Sequence, residues 1–313
     1  MKNNKQLTGY IYALSAAILW GVSGNFGQFL FQQRAMSIEW LVVIRLLVSG
    51  VILLALSASQ KKNDFWLIWK NKQDSIQLIL FAFLGIVAVQ YTYFAAIKHS
   101  NAATATVLQY VGPVLIAVYL AILNRTLPNF KQSLAIFLAI TGTFLLVTHG
   151  SVESLSISSE GLFWGLLSAV ALAYYTVKPV NLLHKYPAVL VIGWGMIVGG
   201  IGFSFVHAPW KVSGEWDGYT WAFTLFIIFL GSLISFYIYL SAVKMIGAQT
   251  TSLLASAEPL SATVMAVFWL NVPFGLMDWI GTICIVFTIL LLAKGERKGH
   301  WKIPGARKPA RKS

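Results

Sequence analysis

Ten apolar stretches of roughly twenty residues follow one another along this chain, at 8–31, 38–58, 76–98, 101–123, 131–149, 161–183, 187–207, 219–243, 248–270 and 275–293. About twenty apolar residues is the length at which a helix spans the hydrocarbon of a bilayer. Of the 313 residues 58% are hydrophobic and only 11% charged, whereas a soluble domain carries about 25% charge. The expected fold class is an all-α integral membrane protein with ten transmembrane helices. Ser15-Ala16-Ala17 imitates a signal-peptide cleavage site. The apolar run continues past it to Phe31, too long for an ordinary signal core, so the segment reads as a mature helix. The single cysteine, Cys284, excludes an intrachain disulfide and a Cys-based metal site, and reads as a small core hydrophobe.

Lys and Arg set the orientation. With a cytoplasmic N-terminus, the inner segments hold Lys2, Lys5, Lys61, Lys62, Lys70, Lys72, Arg125, Lys131, Lys178, Lys185, Lys244 and eight basic residues from Lys294 to Lys312, nineteen in all. The outer segments hold three, Arg34, Lys98 and Lys211, and Arg45 remains within a helix. Positive segments stay cytoplasmic, so both termini are expected inside. The net charge of +13 therefore reads as membrane orientation and not as a nucleic-acid surface. The basic tail after residue 295 reads as a topology anchor attracted to anionic lipid. Asn124-Arg125-Thr126 matches a glycosylation pattern, but its loop is expected inside.

One stretch departs from the apolar pattern. Thr250–Met265, TTSLLASAEPLSATVM, carries Glu258 directly before Pro259, near the middle of its run. A carboxylate at bilayer depth costs roughly 2.5–3.5 kcal/mol on insertion scales and needs a partner, a proton or a wet cavity. Pro259 interrupts the helix ladder, and the freed backbone groups must be satisfied by protein or water. A charge beside a helix defect at the midplane is the pattern of a solute pathway. The alternative is a carboxylate near a helix end, or one bonded structurally to a neighbouring helix. Arg45, in SIEWLVVIRLLVSG, is the other buried charge. At about 1.5 Å rise per residue the two differ in depth by only a few ångströms. They are expected to face one polar interior, as a pair or as separate ends of a site, with Arg45 suited to an anionic substrate group. Otherwise Arg45 snorkels outward or anchors its helix.

The chain also repeats itself. Residues 83–113, FLGIVAVQYTYFAAIKHSNAATATVLQYVGP, align without a gap on 229–259, FLGSLISFYIYLSAVKMIGAQTTSLLASAEP, with eleven of thirty-one positions identical at an offset of 146. Gly85/Gly231, Tyr91/Tyr237, Tyr93/Tyr239, Lys98/Lys244 and Pro113/Pro259 are among the matches, while Gly112 stands in the place of Glu258. Leu14-Ser15-Ala16 against Leu167-Ser168-Ala169 is a weaker echo. Five helices, an odd number, separate each residue from its counterpart. The expectation is two inverted-topology five-helix repeats, at 1–150 and 151–295, followed by a basic cytoplasmic tail at 296–313. Gly195–Gly199, Gly161–Gly165 and the series Gly21, Gly24 and Gly27 are small-residue patterns that permit close helix contact.

Ten helices in a five-helix repeat, Trp20-Gly21 in the first helix, a small-residue fourth helix ending near Pro113, and Ala257-Glu258-Pro259 in the ninth resemble the drug/metabolite transporter superfamily, EamA family, over about residues 8–295. The resemblance implies a plasma-membrane carrier of small metabolites, often an exporter of amino acids or related compounds. It also implies a central cavity between the repeats and no bound prosthetic group. It does not name the substrate.

Expected substrate-binding residues are Trp20, Asn25, Arg45, Tyr91, Gln109, Tyr110, Trp194 (flanked by Gly193 and Gly195) and Tyr237, with Glu258 as the coupling charge. Gln28, Gln90, Tyr93, Tyr174, Tyr175, Ser235, Tyr239 and Ser256 add amides, hydroxyls and phenols at mid-depth. Each aromatic also fits plain packing against lipid or helix. The five histidines, at 99, 149, 184, 207 and 300, lie at helix ends or in the tail, and no metal site is expected. No HExxH, GxSxG, CxxC or Walker A pattern occurs. The expected function is a secondary transporter in a lipid bilayer, moving a small-molecule substrate by alternating access, with proton coupling left open. No cofactor and no nucleic-acid partner is expected, and the oligomeric state is open, a monomer included. A membrane-embedded enzyme and a non-transporting receptor or scaffold are the competing classes.

Overall fold

The structure is a computed structural model, described here for residues 2–59, 65–151, 158–270 and 275–295. Lys61, Lys62, Glu153 and the basic tail at 296–313 lie outside the described residues. Helices α1 (Lys2–Gln33) and α2 (Ile38–Ala58) open the chain. Helix α3 (Lys72–Leu80) passes through a π-helical stretch, Phe81–Val87, into α4 (Ala88–His99). The fourth apolar stretch is not one helix but two, α5 (Ala102–Gln109) and α6 (Gly112–Asn124), followed by α7 (Phe130–Thr148). The second half has α8 (Ser159–Val177), the short α9 (Val180–Lys185) and α10 (Ala188–Phe203). Helix α11 (Gly218–Ile228) then passes through a second π-helical stretch, Phe229–Ile234, into α12 (Ser235–Ile246). The ninth apolar stretch is again split, into α13 (Ala248–Leu254) and α14 (Ala257–Leu270), and α15 (Leu276–Gly295) ends the described chain. Among the described residues there is no strand. Six helical segments are long and apolar enough to cross a membrane, and Phe130–Leu145, Ala188–Phe203 and Leu276–Leu291 are shorter apolar helices.

The repeat seen in the sequence therefore extends to irregularities of the backbone. The two π-helical stretches occupy matching places, and so do the two breaks, at Tyr110–Val111 and Ala255–Ser256. Packing repeats as well. Helix α1 lies against α12 and α14, and its counterpart α8 lies against α4 and α6. Helix α2 packs on its own counterpart α10, and α7 on α15. Contacts exchanged in this way are those of a two-fold relation.

The exterior is apolar. Ile11, Ile18, Val51, Leu84, Ile122, Phe163, Val170 and Phe287 are exposed large side chains. Polar groups are gathered inside, among them Arg45, Gln90, Gln109, Ser232, Ser252 and Glu258. Small residues let the helices close on one another, as their spacing suggests. A Cβ on Gly199 would stand 2.7 Å from Val87 Cγ2, and one on Gly50 would stand 2.9 Å from Ile197 Cγ1 and 3.0 Å from the Ile197 backbone N.

Among the described residues, an Arg–Asp pair and a Lys–Asp pair join the first half to the second at opposite ends of the bundle. At the end where α1 stops and α2 starts, Arg34 Nη2 and Asp217 Oδ2 are 2.8 Å apart. At the end where α3 starts, Lys185 Nζ donates to Asp74 Oδ1 at 2.6 Å and Tyr186 Oη donates to Asp74 Oδ2 at 2.8 Å. Burial, then the Asp74 contact, pushes the Tyr186 phenol up to about 12, so it remains a donor. Asp217 also caps α11, accepting from the Thr220 backbone N–H. That bond, the Thr220 hydroxyl and Arg34 hold its carboxyl at about 2, below the ordinary 3.8.

Two outcomes follow. Gly50→Val should destabilise the detergent-purified protein by about 1–3 kcal/mol through overpacking. Gly218→Ala, which has open space around it, should leave the melting temperature unchanged. Asp217 ionises more readily folded than unfolded, so its contribution is present above about pH 4 and lost as the pH falls toward 2. The melting temperatures of wild type and Asp217→Asn should therefore differ at neutral pH and converge across that window.

Candidate functional site

Both helix breaks border one central cavity, through Tyr110 and Ala255, and the second π-helical stretch bonds two residues of its wall, Trp20 and Arg45. A π-helical turn shifts the backbone ladder from i→i+4 to i→i+5 and changes which carbonyls are free to accept other donors. In the second stretch the Gly231 carbonyl accepts from Trp20 Nε1 (3.2 Å) and from Arg45 Nη2 (3.2 Å). Ser232 Oγ accepts from Arg45 Nε at 2.6 Å and donates to the Ile227 carbonyl at 2.7 Å. One turn along α2, Ser49 Oγ donates to the Ile228 carbonyl. The guanidinium carbon lies 4.8 Å from the centre of the Phe94 ring and 5.9 Å from that of Phe236. Arg45 is thus fixed by hydrogen bonds on one edge and by aromatic faces on its flanks.

The breaks face each other across the two halves. Tyr110, at the end of α5, donates its phenol to the Ala255 carbonyl at the other break. The Ala255 carbonyl also accepts from the Glu258 backbone N–H at 2.8 Å. Gln249 Nε2, in α13, reaches the Pro113 carbonyl at 3.4 Å. Pro113 and Pro259 both sit in the first turn of a restarted helix, where the missing N–H has no intrahelical acceptor to leave empty. Glu258 is consequently the second residue of α14, and its carboxylate lies near a helix N-terminus, where negative charge is favoured. Glu258 Oε1 accepts from Tyr93 Oη at 3.2 Å, and Tyr93 Oη lies 2.9 Å from Thr106 Oγ1.

Trp20, Arg45, Gln109, Tyr110 and Glu258 line this cavity, together with Ser23, Gln90, Tyr93, Tyr175 and Ser252. The empty space among the lining atoms, including its open part, is about 620 Å³. Arg45 and Glu258 share the cavity but form no ion pair with each other.

Four expected site residues lie elsewhere. Asn25 Nδ2 donates back to the Gly21 carbonyl of its own helix. Tyr91 donates to Glu39 Oε1 at 3.3 Å and packs edge-on against Trp164. Trp194 donates to the Phe65 carbonyl and sits among Phe65, Trp66 and Trp69 at an end of the bundle. Tyr237 packs against the core without lining the cavity. Asn25 and Tyr91 were expected in the site for their depth, whereas the cavity takes Ser23 and Gln90. One residue turns a helical side chain by about 100°, and nothing local fixed the phase. Among the described residues no three His, Cys, Asp or Glu side chains come together as a metal site.

Tyr110→Phe removes the hydroxyl that donates to Ala255 and also lies against Glu258. It should cost about 0.5–1.5 kcal/mol of stability, read as a lower melting midpoint in detergent.

Comparison with known proteins places these features in company. The EamA-like transporter family matches the chain twice, over residues 7–148 and 159–294. The uncharacterized inner membrane transporter YicL of Salmonella typhimurium is 38% identical over 290 residues, covering 93% of this chain and 96% of its own. The uncharacterized transporter YyaM of Bacillus subtilis is 23% identical over 295 residues, covering 91% and 93%. A solved crystal structure superposes with a TM-score of 0.72 at 17% identity, over 90% of this chain and 95% of its own, a likeness of fold.

Proposed function

The chain belongs to the EamA-like transporter family and is a multi-pass membrane transporter, and from that premise we propose that it is a secondary carrier exporting a small metabolite, an amino acid or related compound, by alternating access. In this reading two inverted five-helix halves, 1–150 and 151–295, rock about the central cavity, with both termini and the tail at 296–313 on the cytoplasmic side. Trp20, Arg45, Gln109 and Tyr110 contact the solute, Arg45 meets its negative group, and Glu258 holds a proton or a cationic group.

One observation carries the reading. Arg45 and Glu258, both buried, line the same cavity, unpaired with each other. An unpaired charge at bilayer depth is costly and marks an ion or solute path. The ion pairs Arg34–Asp217 and Asp74–Lys185, each joining one half to the other at its own end, suit closures that break in turn.

The test is a thermal-shift screen of metabolites on the purified chain, then flux of the hits in proteoliposomes with and without a pH gradient. Wild type should exchange at least one hit. Glu258→Gln should fold and lose gradient-driven flux by about tenfold or more, equivalent to about 1.4 kcal/mol or more of barrier. Full transport by a stable Glu258→Gln protein removes the coupling role, and a wild type that moves no solute removes the carrier.

A further inference from the structure

Most polar groups around the cavity are already bonded within the protein. Gln90 is different. Its side chain lines the cavity and is 3% exposed, and neither its Nε2 nor its Oε1 has a hydrogen-bond partner. A buried polar group left in that condition is destabilising, because it gave up its hydrogen bonds to water and gained none. Its neighbours on the wall, Val89, Phe94, Leu172 and Phe236, offer only hydrocarbon side chains. The Tyr175 phenol, also on the wall, is likewise buried without a partner.

The repeat supplies an internal control. At the offset of 146, the counterpart of Gln90 is Phe236, which lines the same cavity. The scaffold accepts a phenyl ring at the equivalent place, so packing does not call for an amide there. An amide presents donors on nitrogen beside an acceptor oxygen. A carboxylate would satisfy Nε2 and repel Oε1, and an ammonium would do the reverse. A group carrying acceptor and donor side by side satisfies both atoms, as when a Gln side chain grips the edge of adenine.

We propose that Gln90 selects the transported solute by a two-point hydrogen bond to an amide-type edge, the acceptor–donor pair of a carboxamide or of a nucleobase, while a carboxylate or carbonyl on the same solute reaches Arg45. This deepens the carrier reading and rests on it. Gln90 is a specificity residue with no part in the coupling step.

The experiment uses the full chain in proteoliposomes, with counterflow of labelled glutamine, glutamate, norleucine, uracil and cytosine. Glutamine and glutamate differ at the amide, norleucine lacks a polar end, and the two bases present the edge from a ring. Wild type should take glutamine or a base at least about tenfold more tightly than the probes without the edge, the worth of one to two hydrogen bonds. Which of the two is taken names the source of the edge. Gln90→Met keeps the length and drops both polar atoms. It should melt at or above the wild-type temperature, because an unsatisfied group is removed, and should hold glutamine and norleucine alike. Discrimination retained in Gln90→Met overturns the proposal, as does a wild type that exchanges only solutes without the edge; in both cases the carrier reading stands. If no solute at all exchanges, the carrier reading falls and this one with it.

Discussion

Hydrocarbon offers no hydrogen bonds, so every backbone group released from a helix ladder inside the bilayer must be met by the protein itself or by water in a cavity. This chain releases such groups at four places, two π-helical stretches and two breaks, and the two breaks border the central cavity. The partners come from the opposite half. Trp20 and Arg45 of the first half bond Gly231 of the second, and Gln249 of the second bonds Pro113 of the first. Tyr110, beside one break, bonds Ala255 at the other. The interruptions that make room for a site are thus also what joins the halves.

Arg45 shows how the charge is tolerated. It has no carboxylate opposite it, yet its Nε and Nη2 are bonded and aromatic faces flank its guanidinium. A planar, delocalised and weakly hydrated cation suits that setting better than an ammonium would. The bonded edge orients the group, and the remaining donors are left for the cavity that Arg45 lines. Glu258 is held in a similar partial way, by Tyr93 on one oxygen and by its place in the first turn of α14.

Much of this was legible in the residues. Apolar length gave the membrane class, the 146-residue offset gave the repeat, and the rarity of buried charge brought Arg45 and Glu258 to one interior before any coordinates. Pro259 reads as interrupting the helix ladder, and the chain does break just before it, whereas the matching break before Pro113 falls inside a stretch that reads as one helix. The π-helical stretches left no residue signature, because FLGIV and FLGSL read as ordinary apolar helix. Helix phase was the other blind spot. Tyr91 was expected to bind substrate, but the cavity takes its neighbour Gln90, which the sequence marks only as one of several mid-depth amides. Places where the halves differ, Gln90 against Phe236 and Gly112 against Glu258, shape the site on a shared scaffold.

The same rule explains why the carboxylate occurs once. Gly112 is the counterpart of Glu258, and a Cβ there would stand 3.1 Å from Leu172 Cδ2 and 3.4 Å from the Ala169 carbonyl. Helix α8 has closed over that place, and a carboxylate would have to displace it. In the other half α14 starts with Glu258 beside Tyr93, a phenol from the first half that supplies a hydrogen bond where α8 supplies only leucine and backbone. Two like charges in one small cavity of low polarity would raise the cost of both. A scaffold built twice therefore carries its acid once, on the side where the opposite half provides a donor.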